Sequence, residues 1–113
     1  MKTNDRLIGD ELQRRLWNAG FAVCSTGGGF YAYAKVLEDG NAVMICDNEN
    51  QIDDVTDDDF IVALRHHDGA PLAEFVKSGG TLEYFDYGKG SVVTLRENGA
   101  SIMGALLAFG VTI

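Results

Sequence analysis

The chain has 113 residues, 46% of them hydrophobic, with fourteen glycines and one proline, which excludes a disordered or low-complexity segment and leaves room for a single domain, residues 1–113. Seventeen acidic residues against nine basic ones give a formal net charge of -8, which argues against an electrostatic grip on DNA, RNA or an anionic membrane, since each needs lysine and arginine to neutralise phosphate. Cys24 and Cys46 are too few and too far apart for a disulfide framework or a zinc cluster and are expected as reduced core thiols. The chain starts polar and charged, and a cytoplasmic setting is expected.

In residues 5–19, Leu7, Ile8, Leu12 and Leu16 recur at the spacing of one helix face, with Trp17 beside them, and predict an amphipathic helix. Asn4 or Asp5 would cap its start and Gly20 its end. Asp10, Glu11, Arg14 and Arg15 are its solvated face.

Residues 21–25, 30–37 and 42–47 are rich in β-branched and aromatic side chains and predict three strands of an antiparallel meander. They are separated by Thr26-Gly27-Gly28-Gly29 and by Asp39-Gly40-Asn41. Strand alternation sets Phe30, Ala32, Ala34 and Val36 on one face and Tyr31, Tyr33 and Lys35 on the other. The small alanines suit a helix packed close above, which places the two tyrosines on the outer face.

Residues 47–59 hold seven carboxylates, Asp47, Glu49, Asp53, Asp54, Asp57, Asp58 and Asp59, and no lysine or arginine. With only Ile52 and Val55 as apolar residues, the segment reads as a long loop. Beyond it, residues 60–66 and 72–76 flank Asp68-Gly69 as a hairpin, the rival reading being a helix over residues 57–67 capped by Thr56. Residues 81–87 and 91–96 make a second hairpin around Gly88-Lys89-Gly90, and Asn98-Gly99 turns the chain again. Ser101 caps a short apolar helix over residues 102–109 that Gly110 ends, with a strand as the alternative. The expected fold is therefore α+β, an N-terminal amphipathic helix followed by a mainly antiparallel sheet of hairpins, closed by that short helix.

Read as a calcium loop of the EF-hand type from Asp47, the acidic segment has Glu49 and Gln51 at ligand positions. It has Ile52 where the sharp turn needs glycine, and Asp58 where a bidentate glutamate belongs. No metal site is therefore expected. His66-His67-Asp68 offers imidazoles, but neighbouring strand residues point to opposite faces and no thiol cluster joins them. The Thr26, Gly27, Gly28, Gly29 turn could offer backbone amides to a phosphate, but it lacks the Lys-Ser/Thr of a nucleotide-hydrolysing loop and no helix follows. No serine sits in a nucleophile-elbow context or forms a triad. Neither catalytic residues nor a cofactor are expected.

The run Phe21-Ala22-Val23-Cys24-Ser25-Thr26-Gly27-Gly28-Gly29-Phe30, followed by Glu38-Asp39-Gly40-Asn41 and Ala42-Val43-Met44-Ile45-Cys46-Asp47, resembles a strand, glycine turn, strand, Asp-Gly turn, strand pattern of small uncharacterised proteins of phages and mobile elements. The resemblance implies no activity and no catalytic residues. It implies an accessory factor in the host cytoplasm that blocks a basic, nucleic-acid-binding host protein, an anti-CRISPR or similar anti-defence role being its sharpest form. The partner-binding residues would be Asp47, Glu49, Asp53, Asp54, Asp57, Asp58, Asp59, Tyr31 and Tyr33, acting as an acidic mimic of a nucleic-acid backbone. The alternative is a module that binds or sequesters a small nucleotide-like ligand at the glycine turn and neighbouring aromatics. Exposed strand edges also allow a homodimer.

Overall fold

The computed structural model describes residues 9–95 and 101–113. The expected caps Asn4 and Asp5, the start of the first helical stripe at Leu7 and Ile8, and the Asn98-Gly99 turn lie outside the described residues. Helix α1 spans Gly9–Asn18. It ends where the Phe21 amide reaches back to the Leu16 carbonyl (2.9 Å) and Gly20 takes φ 96°, a conformation glycine adopts without penalty. Leu12 and Leu16, one turn apart, are its buried stripe. On its outer side Glu11 pairs with Arg14 and Arg15.

Seven strands follow in unbroken antiparallel order: β1 (Ala22–Gly27), β2 (Phe30–Val36), β3 (Ala42–Cys46), β4 (Phe60–Arg65), β5 (Pro71–Ser78), β6 (Thr81–Asp86) and β7 (Ser91–Leu95). Such a meander needs only local connections, and these are tight except for residues 47–59 between β3 and β4. The β1–β2 turn is Gly28-Gly29, with φ 63° and 83°, the pair of positive angles that a two-residue hairpin matched to strand twist requires. The predicted turn was longer than this. Gly27 belongs to β1, and a bulge between Ser25 and Gly27 absorbs Thr26 as the unpaired residue. The hairpin reading of residues 60–76 holds, with β4 and β5 paired from Phe60↔Lys77 to Arg65↔Pro71. Helix α2 (Ile102–Ala108) is capped as expected, the Ser101 hydroxyl accepting from the Gly104 amide at 3.1 Å.

Both helices lie on one face of the sheet. A row of paired residues runs across five strands on that side, Tyr33↔Ile45, Ile45↔Val62, Val62↔Phe75 and Phe75↔Tyr84. Leu12 and Leu16 of α1 and Ile102, Ala105 and Leu106 of α2 close over it together with Val43, Phe60 and Leu82. The neighbouring row, Ala34↔Met44, Met44↔Ala63, Ala63↔Glu74 and Glu74↔Phe85, faces the other way. Among the described residues no helix covers it.

This reverses the expected orientation of β2. Tyr33 is buried, 7% exposed, under the helices, whereas the alanines lie on the open face. The Tyr33 ring removes far more apolar surface from water than an alanine methyl does, so Tyr33 rather than the alanines takes the helix side. Its hydroxyl lies near Gln13 of α1, and the two line one cleft. Burial pushes the Tyr33 phenol above its ordinary value; the Gln13 side chain pulls it back, and the charge of Asp53 pushes it up.

Candidate functional site

The acidic segment between β3 and β4 is a long loop, as expected, and it is built from two tight turns. In the first, the Asp47 amide donates to the Gln51 carbonyl (2.8 Å), the Asn50 amide donates to the Asp47 carbonyl (3.1 Å), and Asn50 takes φ 60°. In the second, Thr56 and Asp59 exchange backbone hydrogen bonds at 3.1 and 3.2 Å, and the Thr56 hydroxyl accepts from the Asp58 amide. Between the turns Val55 is 3% exposed and Ile52 packs against the core, so two apolar side chains pin the segment to the body.

The seven carboxylates divide into two sets. Asp47, Asp57 and Asp59 serve the fold. Asp47 is 1% exposed, and its Oδ1 accepts from the amides of Glu49 (2.8 Å) and Gln51 (2.9 Å). Asp59 Oδ1 accepts from the amide of Asn48 at 3.0 Å and from its side-chain nitrogen, which also donates to the Lys77 carbonyl at 2.8 Å and so ties the segment to β5. Asp57 Oδ1 accepts from the Ile102 amide at 3.0 Å, at the start of α2. Glu49, Asp53, Asp54 and Asp58 are exposed. The seven acidic members of the predicted partner-binding set lie in this segment, but Asp47, Asp57 and Asp59 are internal acceptors.

The glycine turn lies against the same segment. The Tyr31 amide donates to the Asn50 carbonyl at 3.0 Å, and the Gln51 side chain donates to the Gly29 carbonyl at 3.0 Å. Two features that the sequence separates by twenty residues are therefore one surface. Tyr31 is 44% exposed beside it, whereas Tyr33 lies in the core and is unavailable to a partner.

The open face of the sheet carries a cavity of about 240 Å³, with Thr26, Tyr31 and Asn50 at one end and Arg65 and Glu74 at the other. Met44, Cys46, Ile61 and Ala63 contribute to its lining. Glu74 accepts a hydrogen bond from the Tyr87 hydroxyl, which holds that phenol neutral and pushes it up to about 12. Cys46 was expected in the core and instead lies half-buried on this face. Burial, with the charges of Asp47, Glu74 and Asp59 adding to it against Arg65, pushes its thiol up to about 11, so near neutral pH it is not a thiolate nucleophile. Arg65 and Glu74 were missed as lining of one cavity because their placement depends on the β4–β5 register, which the irregularity between Leu64 and Arg65 shifts.

His66 and His67 lie beyond the end of β4, so strand alternation does not separate them; their rings meet at a tilt of 43° with centroids 3.9 Å apart. His66 Nδ1 sits 3.0 Å from Asp68, whose carboxyl is held below its usual range by the Ala70 amide and by His66. On the helix side Trp17 is 71% exposed and, with Val23, borders a cleft of about 420 Å³ between α1 and the edge strand β1.

Comparison of the chain with protein-family models, with curated proteins and with solved structures finds no match. Among the described residues no helix is long and apolar enough to cross a membrane.

Proposed function

We propose that the chain is a non-enzymatic binding protein whose acidic segment engages a basic, nucleic-acid-binding protein partner. The observation that carries this reading is the division of labour among the carboxylates. Asp47, Asp57 and Asp59 hold the two turns in place, so Glu49, Asp53, Asp54 and Asp58 are presented from a pre-ordered scaffold. A pre-ordered surface loses less conformational entropy on binding than a flexible tail does. Exposed like charges with no basic residue between them steer an oppositely charged partner and compete with phosphate for its groove. Tyr31 at the margin supplies an aromatic contact. Occupying that groove would block a host nucleic-acid machine, and an anti-CRISPR or related anti-defence role is the sharpest form of the proposal.

The test is capture from nuclease-treated bacterial lysate on immobilised protein, in chelator, with partners identified by mass spectrometry and eluted by a salt gradient. The expected result is a basic protein that leaves the column as salt rises from about 0.1 to about 1 M, where the screening length falls from about 10 to about 3 Å. Retention independent of salt would overturn the reading.

A second reading, a small nucleotide-like ligand bound on the open face, is favoured by the cavity beside the glycine turn, with Thr26 and Tyr31 at one end and Arg65 as its cation. A ligand that binds only the folded chain must raise its melting temperature. A nucleotide panel that leaves the melting temperature unchanged at millimolar concentration would dismiss this second reading.

A further inference from the structure

Asp47, Glu49 and Asp54 each bring one carboxylate oxygen into a group whose members lie within 4.8 Å of one another. Oxygens arranged around one calcium ion at about 2.4 Å are separated by up to about 4.8 Å, so the group matches the dimensions of a single coordination sphere. Proximity of acids alone says little, but Asp47 adds a second observation. It is 1% exposed, its Oδ1 is occupied by the amides of Glu49 and Gln51, and its Oδ2 takes no hydrogen bond from any described residue. A buried carboxylate oxygen without a donor is costly in a folded protein, and a cation is one of the few partners that remove that cost.

We propose that these three residues form a calcium-type divalent cation site, with Asp47 Oδ2 as its inner ligand and water completing the shell on the exposed side of Glu49 and Asp54. The donor set is all oxygen, which favours a hard cation over zinc or copper. The arrangement is not the EF-hand order that the spacing fails to meet. Glu49 comes from the same turn as Asp47, and Asp54 follows from the stretch between the two turns. The two backbone hydrogen bonds to Oδ1 fix the Asp47 carboxylate before any ion arrives, so little ordering is needed on binding. Bound cation would place two positive charges within the acidic surface and couple its net charge to the ion.

The experiment is calorimetric titration of the chelator-treated chain with calcium chloride and, separately, magnesium chloride, with melting curves in each, and no partner present. The expected dissociation constant for calcium is about 10⁻⁴ M, and about 10 mM calcium raises the melting temperature by about 10 °C, the shift for an ion at about a hundred times its dissociation constant. The Glu49→Gln, Asp54→Asn double variant, exchanged only at exposed positions, should fold and lose at least about tenfold in calcium affinity. No heat and no melting shift up to about 10 mM would overturn the proposal. Undiminished binding by the double variant would also overturn it, and magnesium binding as tightly as calcium would overturn the calcium assignment. Failure here leaves the partner proposal standing, because capture is performed in chelator.

Discussion

Phe60→Ala is expected to cost about 3–5 kcal/mol, the largest loss from any single side-chain truncation among the described residues. The ring is 0% exposed, at the first position of β4, where the acidic segment enters the sheet, and it belongs to the cluster that α1 and α2 close over. Removing it takes away the transfer free energy of an aromatic side chain and leaves a cavity that the rest of the cluster cannot fully collapse into. Since a domain of this size is stable by only about 5–15 kcal/mol, the urea midpoint should fall by a large fraction. Trp17→Ala, at a ring 71% exposed, is the control and should move the midpoint little. Equal effects at the two sites would mean that the two-helix core is placed incorrectly.

The second large effect is at Asp47. Asp47→Ala is expected to cost about 2–4 kcal/mol, because the amides of Glu49 and Gln51 lose the buried carboxylate that accepts from them, and each unsatisfied group is worth about 1–3 kcal/mol before water partly replaces it. Asp47→Asn retains an oxygen at the Oδ1 position and replaces the oxygen that has no donor, so it should cost no more than about 1 kcal/mol in the absence of divalent cation. Chemical denaturation in chelator reads both. A cost as large for Asn as for Ala would show that the charge, rather than the pair of hydrogen bonds, holds the turn.

Most of the architecture was legible because its signals are local. Gly28-Gly29, Asp39-Gly40, Asp68-Gly69 and Gly79-Gly80 punctuate the sheet, and alternating apolar residues between them leave the meander as the simplest connection. The Leu12 and Leu16 stripe and the Ser101 cap are equally local. The orientation of β2 was not legible: alternation divides its residues into two faces, but which face meets the helices depends on the volume both helices must fill, and that is set by tertiary packing. The acidic segment is the long loop expected, but its internal order was not legible for a related reason. Its order comes from Asp47, Asp57 and Asp59 accepting backbone and side-chain hydrogen bonds, and from Asn48 reaching Lys77 on β5 across 29 positions, contacts that charge and hydropathy cannot announce. What distinguishes an inward aspartate from an outward one is its partner. Asp57 finds the first amide of α2 only because the chain returns there 45 residues later.

The same division decides which variant tests the function. Exchanging Asp57, Asp58 and Asp59 together would remove a hydrogen bond at the start of α2 and the anchor of Asn48 along with any binding surface. The direct measurement is capture from nuclease-treated lysate by the native chain beside the Glu49→Gln, Asp53→Asn, Asp54→Asn, Asp58→Asn variant, with melting curves of both. The account predicts a basic nucleic-acid-binding protein held by the native chain and lost by a variant that still melts within a few degrees of it, as exposed exchanges allow. Identical partners on both, with the variant folded, would contradict it.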